Sequence, residues 1–288
     1  MRSIAFLTMD SLEGFVAYDH LAVEPLARRG FCVEDISWRR KSVSWGEYEL
    51  VVIRSPWDYQ QDPHAFLAVL EQIHASCAKL QNDLQIVRWN IHKTYLRDLR
   101  NRGVHIVPTL WLDRLDSDTL PHLFREFGSQ RIVVKPVVGA NADDTFLIDS
   151  DPASAAYLAA LTTFSQRELM VQPFVESVVT VGEYSLFYFG DRYSHSILKT
   201  PKSRDFRVQE EHGGMIRSVQ PEEDLIAAAS RVMRVLDVAT LYARVDLVRL
   251  PDGGPALMEL ELIEPSLYLP FDPRAPERFA DAIVRLMQ

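Results

Sequence analysis

Cysteine is nearly missing from this chain. Cys32 and Cys77 are the only two in 288 residues, and neither stands in a Cys-x-x-Cys or Cys/His spacing. That excludes a disulfide framework and the usual zinc sites, and it predicts a reducing compartment with both thiols buried. Long hydrophobic runs are lacking too. The apolar run near the start stops at Asp10, too early for a signal peptide or a membrane span, and no later stretch is long enough to cross a bilayer. The expectation is a cytoplasmic protein with no membrane partner. Positive charge is in deficit: 31 Lys and Arg against 40 Asp and Glu give a formal net charge of -9, and no Lys/Arg run is longer than the three residues Arg39–Lys41. Nucleic acid is therefore not expected as the main partner. Neither a P-loop Gly-x-x-x-x-Gly-Lys-Ser/Thr nor a Gly-x-Gly-x-x-Gly is found, which disfavours P-loop NTPases, protein kinases and simple dinucleotide-binding folds.

What is present is an ordinary globular composition, 47% hydrophobic and 25% charged, long enough for two or three structural units. The first ninety residues alternate strand and helix: "SIAFLT", the helical "AYDHLAVEPLARRG", and the Val/Ile run "YELVVIRSP", of the kind a parallel sheet buries on both faces. Ligands of open α/β sheets bind beyond the carboxyl ends of the strands, and "RSPWDY" lies at such an end. Arg54, Trp57 and Asp58 are thus candidate substrate contacts, against the alternative of a strand cap with a buried Trp57. Next, "NIHKTYLRDLRNRG" reads as a helix with Asn90 as N-cap and Gly103 just past its end, and "VHIVPTLWL" reads as a strand. A charged helical stretch over 111–130 and the strands "RIVVKPVV", "DTFLI" and "LMVQPFV" suggest a small α+β unit before a hairpin-rich C-terminal part.

The most informative segment is "RVDLVRLPDGGPALMELELIEPS" (residues 244–266). Glu259 and Glu261 alternate with leucines, which alone fits the solvent face of a half-buried strand. The "PDGG" turn signal, however, predicts an antiparallel hairpin. With Asp252 and Gly253 central, Asp246 falls opposite Glu259, Arg244 opposite Glu261, Val245 opposite Leu260 and Leu247 opposite Met258. Three acids then share one face. Like charges directly opposed destabilise a sheet unless a cation neutralises them, and an all-oxygen set suits magnesium. A one-residue slip of register would break this reading.

Magnesium held by few protein groups commonly carries nucleotide phosphates, which directs attention to lysines. Lys135 interrupts the apolar "IVVKPVV", and Lys93 is expected in a first helical turn, where the helix dipole disfavours a cation unless an anion is near. Each alone is explained by snorkelling to solvent; together with the acidic face they suggest a phosphate clamp. The small-residue loop "GANADDT" after Lys135 is flexible enough to fold amides over phosphate.

These residues resemble, in order and spacing, the ATP-grasp superfamily, in particular its glutathione-synthetase-like and RimK-like branch. The "ELELIEPS" ending is similar to that of cyclo-ligases closing O-ureidoserine in cycloserine biosynthesis. The resemblance implies an N-terminal parallel-sheet domain over 1–90, a connection over 91–109, a mobile lid over 110–172 and an antiparallel-sheet, metal-binding domain over 173–288. It implies ATP contacts at Lys93, Lys135, Gly139, Ala140, Gln172, Phe174, Val175 and Glu183, metal ligands at Asp246, Glu259 and Glu261 with two Mg²⁺ ions expected, and catalytic arginines at Arg207 and Arg244. One departure stands out: the family usually has Glu-x-Asn where this chain has Glu-x-Glu. The implied activity is ATP-dependent joining of a small carboxylate to an amine through an acyl phosphate. The rivals are a small-molecule kinase and a non-catalytic nucleotide-binding protein. His212 is expected to be structural.

Overall fold

In the computed structural model, which describes residues 2–203 and 205–288, three sheets surround a central cleft. The first is all parallel, with strands β1 (Arg2–Thr8), β2 (Phe31–Ser37), β3 (Leu50–Ser55) and β4 (Lys79–Gln81) in the order β2-β1-β3-β4. β3 is buried at every position, as its unbroken apolar run requires. β2, at the sheet edge, is buried only at Phe31 and Ile36, and Cys32 is exposed. Cys77 follows the helix Pro63–His74 and is exposed as well, so the expectation of two buried thiols is corrected.

The second sheet is antiparallel: β5 (Leu110–Leu112), β6 (Arg131–Pro136), β7 (Phe146–Asp149) and β8 (Leu169–Pro173), in the order β5-β8-β6-β7. The expected long strand over 104–112 is reduced to its last three residues. Pro108 lacks the amide hydrogen that a ladder needs. The third sheet holds β9 (Glu183–Phe189), β10 (Arg192–Thr200), β11 (Met215–Ser218), β12 (Tyr242–Arg249) and β13 (Pro255–Glu261) in the order β11-β10-β9-β12-β13. Helices Glu223–Val235 and Ala275–Met287 bury apolar faces against it. Among the described residues, no helix is long and apolar enough to cross a membrane.

The connection between the first and second sheets differs from expectation. Asn90 ends the helix Leu84–Asn90, and the following helix is Tyr95–Asn101, so Lys93 precedes it rather than lying in its first turn. Asn90 is buried and serves the free edge of β13: its Nδ2 donates to the Leu260 carbonyl (2.9 Å) and its Oδ1 accepts from the Leu262 amide (3.0 Å). The Tyr95 hydroxyl accepts from the Leu260 amide at 2.9 Å. An N-cap position would have left that buried edge unsatisfied.

Candidate active site

The hairpin of β12 and β13 pairs Arg244 with Glu261, Val245 with Leu260 and Asp246 with Glu259, which is the arrangement the sequence predicts. The route to it is different. Leu250 and Gly254 close a three-residue turn, and Leu247 pairs with Leu257, not Met258. A bulge between the two registers leaves Met258 unpaired and brings the acids onto the face shared with Arg244.

That face is dense with charge. Asp246, 1% exposed, accepts from Ser185 Oγ (2.5 Å) and from the Arg244 guanidinium (Nη2–Oδ2 3.0 Å), and lies 3.4 Å from Lys199 Nζ. Lys199 also pairs with Glu183 (2.5 Å); Arg244 pairs with Glu261, and Lys93 pairs with Glu259. Each acid is thus met by a cation of the protein itself. Burial outweighs these attractions at Glu261, where crowding by Glu259 and Asp246 adds to it and the carboxyl is pushed up to about 7. At Asp246 and Glu259 the neighbouring cations prevail over burial and hold the carboxyls below the ordinary range. Three oxygen-bearing side chains on one buried face form a donor set that fits magnesium. Among the described residues, however, no three acids converge on one point, since each leans toward its cation. Metal binding at this face requires Lys93 and Arg244 to yield.

Lys135 stands apart. It lines the same cleft from β6 and, among the described residues, makes no ion pair. Burial and the nearby Lys93 depress its pKa, against the opposing pull of Glu259. A cation kept near a cluster of pairs without a carboxylate of its own fits an anionic ligand. The loop after it adds amides: Gly139 to Asp143 and Thr145 line the cleft. Gly139 is required sterically, because a Cβ there would lie 2.8 Å from Pro136 Cγ. Asn141, Ala142 and Asp144 all adopt positive φ, a strained run held by hydrogen bonds from Asn141 Nδ2 to the Trp57 carbonyl and from Gln60 Nε2 to Asp143. His212 Nε2 meets the Asn141 carbonyl at 3.2 Å.

Gln172, Phe174, Val175 and Glu183 line the cleft's far wall. Gln172 Nε2 donates to Thr109 Oγ1 (3.0 Å), and the Arg131 guanidinium covers the Phe174 ring at 4.3 Å. Arg207 enters from the segment after β10, its guanidinium fixed by Asp205 (Nη2–Oδ2 2.9 Å). The Gly-Gly pair beyond it is explained by space, since a Cβ on Gly214 would fall 2.1 Å from the Val208 carbonyl.

Two expected substrate contacts are not on the cleft wall. Arg54 is fully buried, its guanidinium engaged by Asp19 (2.9 Å) and by the carbonyls of Ile53 and Pro265. Asp58 is taken by Trp38 Nε1 and Arg39. A strand end packed against the third sheet satisfies its polar groups internally, which corrects the expectation for both. Trp57 does line the cleft, with its indole N–H on the Glu264 carbonyl (2.8 Å). Among the cleft residues not singled out in the sequence are Lys199, Glu264, Ser266 and Tyr268. Lys199 carries the same signal as Lys135, a lysine inside an apolar strand ("SILKT").

Comparison with known proteins agrees with this architecture. Residues 4–82 match the family model for the N-terminal domain of D-cycloserine synthetase DcsG. The cycloserine biosynthesis protein DcsG of Streptomyces lavendulae is 33% identical over 281 residues, covering 90% of each chain. A crystal structure of D-cycloserine synthetase DcsG superposes with a TM-score of 0.85 at 29% identity, over 99% of this chain and all of that one. The ATP-grasp ligase PsnB, solved with a phosphomimetic variant of its minimal precursor, Mg and ADP, shares the fold at a TM-score of 0.68 and 16% identity, over 100% and 99% of the two chains. The chain belongs to the family of the cycloserine biosynthesis protein DcsG, and it has the fold of the ATP-grasp ligases.

Proposed function

We propose that the protein uses ATP and magnesium to phosphorylate the carboxylate of a small, amino-acid-like substrate, and that a nitrogen nucleophile then displaces phosphate to form an amide. Given its relatives in cycloserine formation, the nitrogen sits on the same molecule and the product is a ring. The observation that carries this reading is an acidic face set across one cleft from Lys135, which makes no ion pair among the described residues.

In this reading Lys93, Lys135 and the amides after Gly139 and Ala140 receive the phosphates, Gln172, Phe174 and Val175 face the base, and Glu183 faces the ribose. Magnesium held by Asp246, Glu259 and Glu261 would supply positive charge that offsets the phosphates. Arg244 and Arg207 stabilise the acyl phosphate and the oxyanion of the tetrahedral intermediate. No dedicated general base is required if the nitrogen attacks as a neutral amine and its proton leaves to phosphate or solvent. The second sheet and its strained loop screen the reacting carbonyl from water, because an acyl phosphate open to solvent hydrolyses.

The test is magnesium-dependent ADP release in the presence of a panel of free amino acids and their O- and N-substituted derivatives, run beside Asp246→Asn. A stimulated release that the variant lowers by at least 100-fold supports the reading. ADP formation coupled to a phosphorylated hydroxyl product would identify a kinase instead.

A further inference from the structure

The chain that follows β13 is irregular yet firmly held. The carbonyls of residues 262, 263, 264, 265 and 267 each accept from a buried side chain of another element: Asn82 (2.6 Å), Tyr242 (2.8 Å), Trp57 (2.8 Å), Arg54 (2.7 Å) and His195 (3.0 Å). Burial pushes the His195 imidazole down to about 4, against the opposing pull of the Leu267 carbonyl that it meets, so it stands there as a neutral structural group. With the backbone pinned on that side, Glu264, Ser266 and Tyr268 line the cleft, while Leu267 packs into the core. Tyr268 is held at φ +45°, a conformation that a bulky residue adopts only under constraint.

Glu264 has no place in the phosphate or metal machinery. It is 9% exposed, and among the described residues no Lys, Arg or His forms an ion pair with it; the Tyr59 hydroxyl is its hydrogen-bonding neighbour. Burial, reinforced by the charge of Glu261 and opposed by Lys93 and the Tyr59 hydroxyl, pushes its carboxyl up to about 8. Two residues on, Ser266 Oγ is buried and has no hydrogen-bond partner among the described residues. A buried acid without a counter-ion beside an orphaned hydroxyl is costly in the free protein, and both costs are relieved by a cationic, hydrogen-donating ligand. One carboxylate and one hydroxyl can both accept hydrogen bonds. They match a primary ammonium, which has three donors and no acceptor.

We infer that Glu264 and Ser266 form the subsite for the ammonium group of the substrate whose carboxylate is activated. Arg207 and Arg244 line the same cleft, so a zwitterion lying between them and Glu264 is held at both ends. This inference rests on the ligase reading for the identity of the other end of the substrate, though not for the ammonium itself.

The test uses the full-length protein with saturating ATP and magnesium, each free amino acid that stimulates ADP release, and its N-acetyl counterpart. A second readout is the melting temperature with magnesium and a non-hydrolysable ATP analogue. The expected wild type prefers the free amine at least tenfold in KM. Glu264→Gln raises that KM at least tenfold, leaves the KM for ATP within twofold and erases the preference over the N-acetyl compound. Its own melting temperature does not fall, because a neutral amide replaces an unpaired buried acid. Ser266→Ala, a milder change, raises the amino-acid KM three- to tenfold. Unchanged KM and preference in both variants, or a loss confined to kcat, would overturn the subsite. A wild type that amino acids stabilise but that releases no ADP would sink the ligase reading and leave the subsite standing. If no free amino acid either stabilises the wild type or stimulates ADP release, the subsite itself is overturned.

Discussion

Lys93 and Lys135 line one cleft but have opposite relations to the fold. Lys93 is paired with Glu259, so removing its ammonium leaves a largely buried carboxylate without its counter-ion. Lys135 has no such partner among the described residues, and its charge is a cost to the free protein. Lys135→Ala is accordingly expected to keep or raise the melting temperature while lowering kcat/KM for ATP by roughly 10²- to 10³-fold, the scale of losing one preorganised charge at a reacting centre. Lys93→Ala lowers both. Thermal unfolding and ADP-release kinetics of the two variants, measured side by side, decide the matter; a Lys135→Ala variant that melts early with normal ATP kinetics would make Lys135 a structural residue.

Among the elements, the hairpin of β12 and β13 shows how much the sequence discloses. The acidic face was legible because alternation has a period of two and the turn signal is strong, so Asp246, Glu259 and Glu261 fall together whichever even register is chosen. The turn and the bulge were not legible, and their errors compensate: a three-residue turn shifts the pairing by one, and unpaired Met258 shifts it back. The reason lies outside the hairpin. On one side of the bulge the free edge of β13 meets the chain at 105–107, with the Leu257 amide on the His105 carbonyl and the Val107 amide on the Leu257 carbonyl; on the other it meets Asn90 and Tyr95. Such non-local partners leave no periodic trace, which is also why Asn90 resembled an N-cap. Tyr95→Phe removes the only side-chain acceptor seen for the Leu260 amide and is expected to cost about 1–3 kcal/mol in urea unfolding, the usual penalty for an unsatisfied buried donor. An unchanged midpoint and slope would mean that the edge is satisfied in another way.

For the whole molecule, the cleft exists because three sheets each supply one kind of group: acids and arginine from the antiparallel third sheet, Lys135 and the strained loop from the second, and Trp57 and Tyr59 from the end of the parallel first. Arg54 looked like a substrate contact by position, but it holds the Pro265 carbonyl and so fixes the wall that presents Glu264. Positions at strand ends were readable from the chain; which of them face the cleft was decided by packing between sheets. In the proposed reaction the substrate carboxylate itself attacks the γ-phosphorus of ATP. That attack is tested most directly with an amino-acid substrate carrying ¹⁸O in both carboxylate oxygens, followed by mass analysis of the inorganic phosphate released. Transfer of the bridging oxygen predicts one ¹⁸O in each phosphate; unlabelled phosphate accompanying amide formation would contradict it.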